Sequence, residues 1–115
     1  MSFTEYVDSV LRHAFYPGAG TTAGLTYAAL GLAGEAGETA NKVKKILRDA
    51  GGVISEERLQ QIKDELGDVL WYVAACAREL DVTLEDVARH NVEKLAARHG
   101  EKKDNVRHIR FPPHA

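Results

Sequence analysis

The sequence predicts an all-α fold, a domain built like a four-helix bundle, and three observations lead to this prediction. Apolar residues recur at helical spacing through most of the chain, whereas the alternation typical of strands is weak. Short clusters of glycine, serine, threonine and aspartate divide the helical pattern into four segments. Because no repeat or linker separates them, residues 1–98 are predicted to form one domain, followed by an extended tail over residues 99–115.

The first helix is expected over about residues 3–15, where Ser2 or Thr4 can cap its start. A run of glycine, alanine and threonine over residues 17–24 breaks the periodicity and predicts a loop. The second helix is expected over about residues 25–48. Lysines and an arginine occupy its last turns, where they suit the negative carboxyl end of a helix, and two glycines then stop it.

The third helix is predicted to begin after Ser55, a good N-cap residue followed by two glutamates, and to end near Leu80. Thr83 begins a segment that resembles a capping box, with Asp86 in the third position. The fourth helix then continues to about Arg98, because a glycine at position 100 is a typical end signal.

The rotation of about 100° per helical residue assigns an apolar stripe to each long helix, and these stripes are expected to be buried. On the second helix the stripe contains Leu25, Ala29, Leu32, Ala36, Ala40, Val43 and Leu47. On the third helix it contains Ile62, Leu66, Val69, Val73, Ala77 and Leu80, and on the fourth Leu84, Val87, Ala88, Val92 and Leu95. Trp71 points away from the third stripe, which suggests a contact with another subunit or with a ligand.

Composition excludes several classes of protein. The chain has 115 residues, 44% of them hydrophobic, and a net charge of −2, so binding to nucleic acid or anionic membranes through bulk electrostatics is not expected. The single cysteine cannot form an intrachain disulfide, and the five histidines lack paired ligand spacing. Neither a signal peptide nor a membrane-spanning run is recognisable, so a cytoplasmic protein is predicted.

Two short pairs of acidic residues are the most informative feature. Glu35 and Glu38 lie three residues apart on the second helix, and Glu65 and Asp68 have the same spacing on the third. Residues at this spacing share one face of a helix. Four clustered carboxylates cannot all stay ionised without cations between them, and Mg²⁺ prefers oxygen ligands of this kind. The pairs therefore predict a metal site between two helices.

Glycines beside these acids favour the metal site over the alternative of solvated faces or structural ion pairs. Gly31, Gly34 and Gly37 surround the first pair, and Gly67 lies within the second. Glycine inside a helix costs about 1 kcal/mol relative to alanine. A freely exposed face gives no reason for that cost, whereas close approach of a helix, a metal or a phosphate does.

Candidate anion contacts are less specific. Asn91, Lys94 and Arg98 align along the margin of the fourth helix and could hold phosphate oxygens, or they could be ordinary surface residues. Lys42 and Lys45 are further phosphate candidates, with the alternative that they are solvated partners of Glu38.

Three segments together resemble a known family. The run from Leu30 to Glu38 (LGLAGEAGE), the run from Glu65 to Tyr72 (ELGDVLWY) and the run from Asn91 to Leu95 (NVEKL) are similar to those of MazG-like nucleotide pyrophosphohydrolases, which are all-α nucleoside triphosphate pyrophosphatases. The family pattern is ExxE on one helix and ExxD on the next. The resemblance covers roughly residues 25–98.

The resemblance implies a homo-oligomer, dimeric or tetrameric, that hydrolyses (deoxy)nucleoside triphosphates to monophosphates and pyrophosphate with Mg²⁺, or with Mn²⁺ as a substitute. Glu35, Glu38, Glu65 and Asp68 would be the metal ligands and catalytic residues, with attack by metal-activated water at the α-phosphate. Tyr72 would lie near the sugar or base. Asn91 and Lys94 would contact the phosphates. Arg98, Lys42 and Lys45 are weaker candidates for phosphate contacts, which rest on their helical alignment alone.

One departure leaves the general base open. Many members carry a glutamate immediately before the first metal-binding glutamate, where this chain has Gly34. The leading hypothesis is house-cleaning of non-standard or surplus nucleotides. The alternatives are a phosphoribosyl-ATP pyrophosphatase-like enzyme and a non-catalytic helical module that binds Mg²⁺ for assembly or partner contacts.

Overall fold

A computed structural model describes residues 1–100, and this part of the chain folds into four α-helices without a strand. They are α1 (Phe3–Leu11), α2 (Thr22–Ala50), α3 (Glu56–Glu79) and α4 (Leu84–Gly100). The predicted all-α class and the number of helices are confirmed. The predicted extended tail is helical at His99 and Gly100, and the remainder of it, from residue 101 onward, lies outside the described residues.

The amino-terminal ends of the first two helices depend on side-chain caps. The Ser2 hydroxyl accepts a hydrogen bond from the Glu5 N–H at 3.1 Å, and the Glu5 carboxylate accepts from the Ser2 N–H at 3.2 Å. The Thr21 hydroxyl accepts from the Ala23 N–H at 3.2 Å, so α2 begins inside the segment predicted to be a loop. These donors would otherwise lack partners in the first turn.

The predicted ends of the other helices agree with the structure more closely. Ser55 caps α3 by accepting from the Arg58 N–H at 3.2 Å, and Thr83 accepts from the Asp86 N–H at 3.0 Å. Gly51 ends α2 with a φ of 59°, a left-handed conformation that glycine adopts without a steric penalty.

The first helix is shorter than predicted because α3 provides partners for its last carbonyl groups. The Arg78 guanidinium donates to the Leu11 carbonyl at 2.8 Å and to the Ala14 carbonyl at 3.4 Å. Carbonyls at a helix end need such donors, so the chain can leave the helix at Leu11 and enter the loop that precedes α2. Periodicity alone does not reveal this long-range contact.

The α2 and α3 helices form an antiparallel hairpin, and three groups of residues face each other along it. Tyr72 packs on Gly31, and Glu35 lies with Glu65 and Asp68. Lys45 and Arg58 face one cavity further towards the connection between the helices. Later positions on α2 therefore face earlier positions on α3.

The core is small and lies where α1 and the start of α4 pack on α3. Its fully buried members are mostly short side chains: Leu11, Ala28, Ala74, Ala75 and Leu84. Trp71 packs against this cluster, and its indole N–H donates to the Val10 carbonyl at 3.2 Å. The expectation that Trp71 points away from the core is therefore wrong, because α1 covers this side of α3, whereas its half-buried ring still borders the cavity next to Glu35 and Asp68.

The stripe expected to be buried on α2 is mostly exposed, which corrects the prediction. Ala29, Ala36 and Ala40 are exposed, Val43 is 43% exposed and Leu47 is 69% exposed. The buried residues are instead Gly24, Ala28 and Ile46, on the side that faces α3. The acidic face is the one turned towards α3, because α2 can present only one side to its hairpin partner.

The predicted stripes on α3 and α4 are buried in part. On α3, Ala77 is buried, but Leu66 is 52% and Leu80 57% exposed. On α4, Leu84 is buried and Ala88 half-buried, and the residues that remain exposed are Val87, Val92 and Leu95. Within the described residues, every position of α4 from Arg89 to Gly100 is exposed. A search of residues 1–100 finds no helix with the length and apolar character that a membrane crossing requires.

A candidate metal centre between α2 and α3

Three of the four predicted acidic residues converge across the hairpin. One carboxylate oxygen from each of Glu35, Glu65 and Asp68 lies within 4.8 Å of the others. Glu35 and Glu65 are half-buried, whereas Asp68 is exposed. The ExxD pair brings Glu65 and Asp68 to one side of α3, and the hairpin places Glu35 opposite them. Three oxygens at this separation can surround one divalent cation.

The electrostatics of this cluster favour a cation. Loss of solvent raises the pKa of the Glu35 carboxyl, and the charges of Asp68, Glu65 and Glu38 raise it further. Like charges this close oppose ionisation of the group in the absence of a counter-ion. A bound divalent cation would offset the repulsion, so the donor set fits Mg²⁺, a hard ion that prefers oxygen ligands.

Glu38 occupies a different position from the other three acids. It lies one turn beyond Glu35 on α2 and is exposed, and it is not part of the three-oxygen cluster. Its charge still reaches Glu35, since it contributes to the raised pKa of that carboxyl. Glu38 is therefore adjacent to the cluster and turned further towards solvent.

Two aromatic side chains line the cleft next to the acids. Glu35, Asp68, Trp71 and Tyr72 border a cavity of about 330 Å³. The Trp71 and Tyr72 rings meet edge to face, with centroids 5.0 Å apart. Burial raises the pKa of the Tyr72 hydroxyl, and the charges of Tyr27 and Glu35 raise it further. An apolar wall beside a carboxylate cluster can hold a ring while the acids hold a charged group.

Only one of the four glycines near the acids is closely packed within this chain. A Cβ atom at Gly31 would overlap the Tyr72 ring, so glycine is required there. A Cβ at Gly34, Gly37 or Gly67 would meet no other atom of residues 1–100 within 4 Å. The expected close approach is thus confirmed at Gly31, and residues 1–100 of this copy do not provide it at the other three glycines.

The predicted cations fall into two groups. Lys42 and Lys45 are half-buried and line a cavity of about 240 Å³ between the hairpin helices, further along α2 than the acids. Asn91, Lys94 and Arg98 lie on the part of α4 in which every residue is exposed, and they do not border the acidic cleft. In one copy of the chain, the lysines of α2 are the predicted cations that share the hairpin groove with the acids.

Sequence reasoning missed two residues of this groove. Arg58 and Gln61 border the cavity that contains the lysines. The missing information was the register of the hairpin. Pairing Glu35 with Asp68 fixes it, and the same register then brings Lys45 opposite Arg58. One known pair of facing residues would therefore have been enough to predict the others from the sequence.

The sequence is similar to those of known proteins over the segment that contains both acidic pairs. A family model described as the MazG nucleotide pyrophosphohydrolase domain matches residues 24–102, which include both acidic pairs. The chain is also 56% identical over 88 residues to the Gene 37 protein of Mycobacterium phage L5, a match that spans 74% of this chain and 77% of that protein. No solved structure matches significantly.

Proposed function

The chain belongs to the family of MazG nucleotide pyrophosphohydrolase domains, and from this premise we propose that it hydrolyses (deoxy)nucleoside triphosphates to monophosphates and pyrophosphate with Mg²⁺. The observation that carries the proposal is the convergence of Glu35, Glu65 and Asp68 beside an aromatic wall. Removal of non-standard or surplus nucleotides from the pool is the cellular role that fits this reaction.

Mg²⁺, which Mn²⁺ could replace, would be held by Glu35, Glu65 and Asp68, and the fourth acid, Glu38, lies beside this cluster. When bound, such an ion neutralises phosphate charge and lowers the pKa of water. In the reaction, water adds to the α-phosphorus while the bond from that phosphorus to the oxygen bridging the α and β phosphates breaks. The products are the nucleoside monophosphate, pyrophosphate and a proton.

The chain's own residues would bind and orient the triphosphate and accept the released proton. Glu38 is our candidate for the base, because it lies outside the three-oxygen cluster and close enough to influence Glu35. Tyr72 would contact the sugar or base from the wall of the cleft. The proposed contacts to phosphate oxygens are Lys42, Lys45, Asn91, Lys94 and Arg98.

A panel of triphosphates tests the proposed function directly. We expect pyrophosphate release from one or more (deoxy)nucleoside triphosphates in Mg²⁺, and none after the metal is chelated. Release from phosphoribosyl-ATP in preference to all of them would favour the enzyme of histidine biosynthesis instead. If Mg²⁺ binds and no member of the panel is hydrolysed, the chain is a metal-binding module and the proposed reaction is wrong.

Self-association is part of the proposal, because one copy leaves much apolar surface uncovered. Leu30 and Leu47 on α2 are each 69% exposed, Leu66 on α3 is 52% exposed and Val92 on α4 is 65% exposed.

We expect light scattering at micromolar concentration to report at least a dimer. Replacing Leu30 and Leu66 together by glutamate should shift the mass towards one chain, because buried charges at an apolar interface are costly. The pair Glu57→Gln and Lys63→Gln, which changes exposed polar residues, is the control. A monomeric mass for the unmodified protein would contradict the proposed assembly.

A further inference from the structure

The α2–α3 groove contains a second polar cavity, about 240 Å³ in volume, next to the carboxylate cluster. Its cations are Lys42 and Lys45 from α2 and Arg58 from α3, and Gln61 adds an amide. We call this group of four residues the basic subsite. On α2, Lys45 follows Glu38 by seven residues, and on α3, Arg58 precedes Glu65 by seven. Each cation therefore lies about 10 Å from that acid along its helix axis.

The cations of the basic subsite form no close ion pair within the described part of the chain. Among residues 1–100, neither Lys42, Lys45 nor Arg58 forms a salt bridge. Three positive charges that face one cavity repel each other unless an anion lies between them. Lys42 and Lys45 are also half-buried, so their charges are less screened by solvent than those of ordinary surface lysines.

Two acids border the same cavity, and one of them is already paired. Both carboxylate oxygens of Asp49 accept hydrogen bonds from Arg48, at 2.7 and 2.8 Å. These bonds lower the pKa of Asp49, and the nearby charges of Arg58 and Lys45 lower it further. Glu57 is the other acid and is exposed. The cavity therefore keeps a surplus of positive charge.

The groove as a whole has a chemical order. Trp71 and Tyr72 form its aromatic end, the acids follow, and the basic subsite comes last. A triphosphate carries a ring at one end and its highest negative charge at the other. Laid along the groove with its α-phosphate at the acids, it would bring the ring to the aromatic wall and the terminal phosphates to the cations.

We propose that the basic subsite of Lys42, Lys45, Arg58 and Gln61 binds a pyrophosphate group, first as the β and γ phosphates of the substrate and then as the released product. This inference rests on the proposed function and adds to it the direction in which the substrate lies. Charge-assisted hydrogen bonds from lysine and arginine to phosphate oxygens supply the affinity.

Titration calorimetry of metal-free protein with inorganic pyrophosphate tests the subsite apart from catalysis. We expect binding to the unmodified protein. The double variant Lys45→Gln/Arg58→Gln should bind about 100-fold more weakly, since each charge-assisted contact contributes about tenfold. The double variant Lys44→Gln/Lys63→Gln removes the same charge from exposed positions outside the cavity and should bind within threefold of the unmodified protein. Circular dichroism checks that all variants are folded.

The hydrolysis assay separates failure of the subsite from failure of the proposed function. If triphosphates are hydrolysed while Lys45→Gln/Arg58→Gln keeps both its KM and its affinity for pyrophosphate, the subsite is wrong and the function stands. If pyrophosphate binds through Lys45 and Arg58 while no triphosphate is hydrolysed, the function is wrong and the subsite stands. Equal loss of affinity in both double variants would show a general charge effect and overturn the subsite.

Discussion

Replacing Asp68 by asparagine is expected to lower Mg²⁺-dependent pyrophosphate release by about 10³-fold, or ≈4 kcal/mol of barrier, without loss of helical structure. Asparagine keeps the size of the side chain and removes its charge. Asp68 is the exposed member of the three-oxygen cluster. The loss should therefore reflect metal binding and transition-state charge, with little effect on packing.

Asp64 offers a matched control for this substitution. It lies on α3 one turn before Asp68, is exposed, and does not belong to the cluster. Asp64→Asn should retain activity within a few-fold of the unmodified enzyme. Release should be measured with saturating substrate over a range of Mg²⁺ concentrations, because a weakened metal site can be partly refilled. Undiminished activity of Asp68→Asn would contradict the proposed position of the metal centre.

The same assay divides the roles of the acids. Glu38→Gln should lower kcat while Mg²⁺ affinity changes little, if Glu38 accepts the proton of the attacking water. Glu35→Gln should weaken Mg²⁺ binding, because Glu35 lies inside the three-oxygen cluster. If Glu38→Gln lowers both kcat and Mg²⁺ affinity, Glu38 is a metal ligand instead of the base.

Replacing Gly31 by alanine is expected to destabilise the protein and to lower activity at least tenfold. The added methyl group overlaps the Tyr72 ring, which must move or push α2 away from α3. Overpacking of this kind costs about 1–3 kcal/mol. Alanine regains about 1 kcal/mol of helix propensity, so a net loss of up to about 2 kcal/mol should remain in denaturant unfolding. Activity falls because Tyr72 borders the cleft with Glu35 and Asp68.

Two further variants make the Gly31 experiment decisive. Gly34→Ala lies one turn further along α2, where a Cβ meets no other atom of residues 1–100 within 4 Å, and it should stabilise the helix or leave it unchanged. Adding Tyr72→Ala to Gly31→Ala should recover part of the stability, since contacting residues give non-additive effects. Equal stability changes for Gly31→Ala and Gly34→Ala would contradict the packing argument.

The acidic pairs show how much of the site a sequence can predict. Glu65 and Asp68 project together because three residues are nearly one helical turn, and this holds for any helix that contains them. Their convergence with Glu35 required the hairpin, which brings carboxylate oxygens of three of the four acids within 4.8 Å of one another. Glu38 lies outside the cluster because its own position on α2 turns it further towards solvent.

Burial was predicted less well, and α2 explains why. Its apolar side chains at Leu47 and Val43 were expected in the core, yet they are exposed, and the buried positions are Gly24, Ala28 and Ile46. A helix with two usable faces satisfies the same periodicity whichever face packs on its hairpin partner. The packing of Trp71 on the core was missed for a related reason, since its indole N–H donates to the Val10 carbonyl, 61 residues away in the chain.

By itself, the sequence determined that the chain is helical, where most helices begin and end, and that carboxylates lie in pairs. These properties depend on residues within one or two turns of each other. The tertiary structure alone decided which face of α2 meets α3, which residues border the acidic cleft, and that Lys45 and Arg58 share a cavity. Those outcomes depend on the register and rotation of two helices, which are set by packing between residues far apart in the chain.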